Sequence, residues 1–194
     1  MKTWKRAPQR GVLAVILMVT SAVAAQPVAA QPSMVVLVRH GEKASVGGSD
    51  PSLSDAGVAR AGALADAVAM LTPNAIVVTS LKRTAETAAV VAAKTGVTPT
   101  VVGIDGGGAS HVAAVAAAIR KASGVVLVVG HSNTVPAIVT ALGGPALPDL
   151  CDASYATMFI LTPGAASRPA QVVRAQYGAA DGPMAASCAG MTAK

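Results

Sequence analysis

Two of the three histidines stand between an apolar run and a glycine-flanked turn. Arg39-His40-Gly41-Glu42 follows the apolar residues 34–38, and Gly130-His131-Ser132-Asn133 follows the run 125–129. A neutral imidazole is a capable nucleophile near pH 7. An arginine beside it offers a planar fork of N–H groups suited to phosphate or carboxylate. Arg83, in Thr79-Ser80-Leu81-Lys82-Arg83-Thr84, supplies a second fork after another apolar run, whereas Lys82 reads as a surface residue. His111 opens a helix beyond a glycine-rich stretch and reads as a surface or capping residue rather than a third catalytic histidine.

Other chemistries lack their residues. The stretch 103–108, Gly-Ile-Asp-Gly-Gly-Gly, has neither a Lys-Ser/Thr ending nor the order of a dinucleotide loop. Ser132 has no Gly-x-Ser-x-Gly frame, so it is not a hydrolase nucleophile. With only Cys151 and Cys188, a Cys-x-x-Cys redox pair or a zinc site is excluded.

The elements that must position these groups follow an α/β rhythm. Strands are expected at 34–38, 75–79, 100–102, 125–129, 156–161 and 171–176, the last two paired through a turn at Pro163-Gly164. Helices are expected at 54–71, capped by Ser54, and at 82–95, 109–122 and 133–142, with Asn133 as a cap rather than a phosphate ligand. Strands of unbroken Val and Leu are covered on both faces, which implies a three-layer α/β/α sandwich around a mainly parallel sheet. In such sheets ligands gather at the carboxyl ends of the strands. Arg39 and His40, Thr79 and Ser80, and His131 all follow strand ends and can converge there.

In this order the motifs resemble the histidine phosphatase superfamily, also called phosphoglycerate mutase-like. They are Leu37-Val38-Arg39-His40-Gly41-Glu42, then Thr79-Ser80-Leu81-Lys82-Arg83-Thr84-Ala85-Glu86-Thr87-Ala88, then Val129-Gly130-His131-Ser132-Asn133; Leu53-Ser54-Asp55-Ala56-Gly57 with Arg60-Ala61 is similar to the family's helix start. The resemblance implies a phosphoric monoester hydrolase of the histidine acid phosphatase type. His40 would take up the phosphoryl group as a phosphohistidine that water hydrolyses, while Arg39, Arg83 and His131 bind phosphate without metal or cofactor. The proton donor to the leaving group is open between Glu42, ranked first for its place in the motif, and Asp105 in the glycine-rich loop. A non-catalytic phosphate or phosphosugar binding module of the same fold is the alternative. A phosphohistidine phosphatase, or a mutase with its enclosing segments, ranks lower.

The chain of 194 residues has room for one domain, expected over 31–178 with a tail at 179–194 that is poorly ordered unless Cys188 anchors it. Residues 1–30 read as a signal peptide and linker. Lys2, Lys5, Arg6 and Arg10 precede an apolar stretch at 11–25, short for a membrane span, and cleavage is expected after Ala25 or Ala30. Four of the fifteen Lys and Arg and none of the nine Asp and Glu lie there, so the remainder carries 11 against 9, near +2 rather than +6. Most of the basic excess is therefore targeting signal, and nucleic acid is not an expected partner. The expected location is periplasmic or secreted, with no stable membrane insertion once the signal is removed. A small phosphorylated ester would be the partner. Oxidising surroundings would let Cys151 and Cys188 pair, with two buried thiols as the alternative.

Overall fold

The computed structural model describes residue 1 and residues 31–165 and 168–182. The expected signal peptide, its cleavage sites and Cys188 lie outside the described residues. No helix among the described residues is long and apolar enough to cross a membrane.

Six strands form one sheet: β1 (Pro32–Arg39), β2 (Ala75–Thr79), β3 (Thr100–Val102), β4 (Gly124–Gly130), β5 (Thr157–Thr162) and β6 (Gln171–Gln176), in the order β3-β2-β4-β1-β5-β6. β1 to β4 pair in parallel, and β5 runs antiparallel to both β1 and β6. The helices are α1 (Asp55–Ala67), α2 (Lys82–Thr95), α3 (Gly107–Lys121) and α4 (Thr134–Ala141). The α/β/α sandwich and the pairing of the last two strands are as expected from sequence.

Alternation along the central strands divides the core in two. Val36, Val38, Ile76, Val78, Leu127 and Val129 pack against Leu64, Ala88 and Val91 of α1 and α2. Val35, Leu37, Val77, Val126 and Val128 pack against Val115, Ile119, Val135 and Ile138 of α3 and α4. Every strand residue from Val35 to Val38 is fully buried, which is why the run carries no polar alternation.

Boundaries depart from the sequence expectation where local chemistry decides them. α1 stops at Ala67 and a 3-10 turn, Ala69–Leu71, completes the segment; Thr72 then has φ 43°. Pro73 follows, and the residue before proline is disfavoured in the α region. α3 begins at Gly107 rather than 109, because that glycine enters the helix at φ 80°.

The first turn of α1 lies directly on the segment Gly41-Glu42 that follows His40. Ser54 accepts from Gly57 N–H at 3.3 Å as its cap, and Ser54 N–H donates to Glu42 O at 2.9 Å. A Cβ at Gly57 would stand 2.2 Å from Glu42 O, so only glycine permits this approach. Gly57→Ala should therefore lower the unfolding free energy by about 1–3 kcal/mol, because backbone rather than a flexible side chain must give way; urea unfolding of both proteins measures it.

Candidate active site

The parallel register brings the polar strand ends level. Arg39 pairs with Gly130, and His40 N–H donates to Gly130 O at 3.0 Å, so His40 and His131 leave adjacent strands side by side. Their rings meet edge to face with centroids 5.3 Å apart. Arg39 and His40 are each only 4% exposed.

His40 Nδ1 lies 2.7 Å from Gly41 O. A carbonyl can only accept, so Nδ1 carries the proton and Nε2 keeps its lone pair. Burial is the main reason the ring's pKa falls to about 4; the bond to Gly41 O opposes this, and the charges of Arg39, Arg83 and Lys43 add to the fall. His131 falls to about 3, again chiefly through burial, then through His40, Arg83, His111 and Arg39. Both imidazoles are therefore neutral at neutral pH.

Arg39 is clamped from one side. Its Nη1 donates to Cys151 O at 3.0 Å, Asp152 O at 3.0 Å and Ser154 O at 3.3 Å. Its Nη2 has only longer contacts, 3.4 Å to Asp152 Oδ1 and 3.5 Å to the Tyr155 hydroxyl. The buried Nε has no partner, and the same is true of Arg83 Nε and His131 Nδ1. Buried polar groups are normally paired. Three orphaned groups around the His40 ring, two of them arginine donors, fit an oxyanion.

The middle motif is largely a framework. Thr84 Oγ1 accepts from Thr79 N–H at 3.1 Å and bonds Leu81 O at 2.8 Å, closing the turn into α2. Thr79 Oγ1 then meets His131 Nε2 at 3.1 Å. Thr87 Oγ1 accepts from Gly41 N–H at 2.9 Å, and Glu86 accepts from Leu53 N–H at 2.7 Å, so α2 fixes the segment after His40 from behind. Asp50, 32 residues away in sequence, accepts from Lys82 N–H at 3.0 Å and lies 3.7 Å from Arg83 Nη1. It thus supplies the acceptor at the start of α2 that Leu81 lacks.

Glu42 does not sit as expected for a proton donor. Its carboxylate is gripped by Arg60, with Nε at 2.9 and 3.0 Å and Nη2 at 2.7 Å. Burial would raise its pKa, but the hydrogen bonds from Arg60 and the Glu42 backbone and the charges of Arg60 and Arg39 outweigh that and hold it below the ordinary value. It is ionised at neutral pH and has no proton to give. Asp105 is exposed in the loop before α3, and no contact ties it to His40.

His111 also differs from its surface reading. It is 3% exposed, and its Nδ1 lies 2.9 Å from Gly103 O at the end of β3. Asn133 occupies the position before α4 without a side-chain capping bond; Thr134 Oγ1 instead accepts from His131 N–H at 3.1 Å. Cys151 is buried and is not a free thiol. No cluster of three or more His, Cys, Asp or Glu able to hold a metal occurs among the described residues.

Tyr155 gave no signal in the sequence. Its ring lies 4.2 Å from Arg39 Cζ, and its centroid is 6.2 Å from that of His40. Asp181 Oδ1 accepts from Tyr155 N–H at 2.7 Å and Ala156 N–H at 2.8 Å, so the chain after β6 holds this loop in place.

Residues 35–103, which carry the first two motifs but not His131, match the family described as histidine phosphatase superfamily (branch 1). The matched part holds β1 to β3 of the sheet, so the likeness to that family covers about a third of the chain. Among solved structures it is similar to the protein histidine phosphatase SixA complexed with tungstate, at 18% identity and TM-score 0.58 over 74% of this chain and 96% of that one. A putative phosphohistidine phosphatase SixA from Agrobacterium tumefaciens gives 22% and 0.56 over 77% and 99%. Mycobacterial glucosyl-3-phosphoglycerate phosphatase gives 19% and 0.54 over 75% and 98%. At these identities the likeness is one of fold. No curated protein sequence matches the chain.

The neutral imidazoles make stability depend on pH. Both folded values lie below the ordinary 6.5, so the unfolded chain takes up protons that the native state refuses. Their contribution is complete above 6.5 and is lost as pH falls toward about 4 for His40 and about 3 for His131. An NMR titration should show His40 changing charge near 4, with the denaturation midpoint falling from pH 7 to pH 4. A His40 titration near 6.5 would contradict the geometry.

Proposed function

We propose that the chain is a phosphomonoesterase that works through a phosphohistidine on His40, without metal, on small phosphate esters outside the cytoplasm. The observation that carries this reading is the His40 ring, fixed by Gly41 O with Nε2 as its lone-pair nitrogen, beside the unpartnered nitrogens of Arg39, Arg83 and His131. Phosphoryl transfer requires positioning and positive charge around the equatorial oxygens more than it requires covalent work from the protein. Arg39 is suited to this because its Nη1 is already committed to the 151–154 carbonyls, leaving the Nε and Nη2 edge for phosphate. His40 Nε2 would attack phosphorus, and water would then hydrolyse the phosphohistidine. The extracytoplasmic location rests on the basic and apolar pattern of residues 1–30.

A second reading draws on Glu42. With that carboxylate bound to Arg60, the donor the sequence favours is missing, as it would be in a phosphate-binding module that has lost turnover. Turnover separates the two. The full chain should hydrolyse p-nitrophenyl phosphate in the presence of EDTA, and His40→Ala should abolish it. Arg39→Ala and Arg83→Ala should each lower kcat more than about tenfold, since each removes a donor to transition-state charge. Equal rates for wild type and His40→Ala, with phosphate still bound, would establish the binding module instead.

A further inference from the structure

The site has a nucleophile and an anion cradle but no evident acid. Departure of an alkoxide from phosphorus needs a proton. Glu42 is ionised in its pair with Arg60. Asp105 is exposed in its loop, and the Asp152 side chain is 94% exposed. His131 is neutral, and surrendering its remaining proton would leave an imidazolate among buried groups.

Tyr155 is differently placed. A phenol hydroxyl can both donate and accept a hydrogen bond. Its hydroxyl oxygen stands 3.5 Å from Arg39 Nη2, on the edge of the guanidinium that is left for phosphate, so it lies within reach of an oxygen bound there. The ring is fixed at 4.2 Å from Arg39 Cζ and 6.2 Å from the His40 centroid. Its backbone is fixed as well, by Asp181 on its own N–H and by Arg39 on the carbonyl of Ser154 before it.

We propose that Tyr155 is the general acid and base of the reaction, a proposal that rests on the phosphatase reading above. As the His40 Nε2 lone pair forms the N–P bond, the P–O bond to the leaving group breaks and its electron pair takes the Tyr155 proton. The alcohol departs, and the phenolate is stabilised by the Arg39 guanidinium. In the second step a water oxygen attacks the phosphohistidine, its proton passes to the phenolate, and the N–P bond breaks with its electrons returning to Nε2. Each residue ends in its starting form with one water consumed.

The test is Tyr155→Phe in the full chain, which keeps the ring against Arg39 and removes only the hydroxyl. Rates would be compared on p-nitrophenyl, phenyl and alkyl phosphates, whose leaving groups depend increasingly on protonation. The loss in kcat should be smallest for p-nitrophenyl phosphate and grow with the basicity of the leaving group, reaching about 100-fold or more for the alkyl ester. A loss equal on all three esters would make Tyr155 a support for Arg39 and overturn the proposal, as would no loss at all. Failure of the underlying phosphatase reading looks different: wild type and His40→Ala would then match on every ester.

Discussion

The hydrogen bond from His40 Nδ1 to Gly41 O, 2.7 Å long, is the interaction around which the site is arranged. Two guanidinium groups gather close to a ring whose usefulness depends on staying uncharged, and the carbonyl decides which nitrogen bears the single proton. Burial then keeps a second proton away. Much of the surrounding structure holds Gly41 so that this bond can form. Thr87 of α2 takes its N–H, and the first turn of α1 is pressed against it through Gly57. The Arg60–Glu42 pair pins the next residue, with Arg60 also donating to Tyr177 O at 3.1 Å.

What could be read from the sequence was what depends on neighbours along the chain. Unbroken Val and Leu runs mark strands covered on both faces, and glycine, proline and Ser54 mark the turns and one cap. Strand ends bearing Arg39, His40 and His131 become one site because parallel pairing puts those ends on the same edge. What could not be read was pairing across the fold. Glu42 looked like an acid because Arg60, 18 residues away, is recognisable as its partner only once α1 is docked. The acceptor for Lys82 N–H comes from Asp50, and no pattern predicts that contact. His111 opens a helix, a position usually near solvent, yet α3 turns it toward Gly103 O.

Tyr155 illustrates the same limit most sharply. It lies 116 residues from Arg39, in a loop without a motif, and the chain has only four aromatic residues to draw attention. The loop is shaped by its duties to Arg39, which takes three of its carbonyls, and by Asp181, which binds its end after the chain has traversed β5 and β6. The last strands of the sheet therefore serve the site without contributing a side chain to its centre. They bring the segment carrying Asp181 back to the edge where Arg39 emerges.

The central claim is that His40 Nε2 forms a bond to phosphorus. Rapid mixing of the full chain with a phosphate ester labelled in the phosphoryl group, followed by quenching and peptide mapping, tests it most directly. The expected result is acid-labile, base-stable label on the peptide containing His40, formed and lost at rates that account for turnover. Label on another residue, or hydrolysis with no phosphoenzyme formed at any time, would contradict the account.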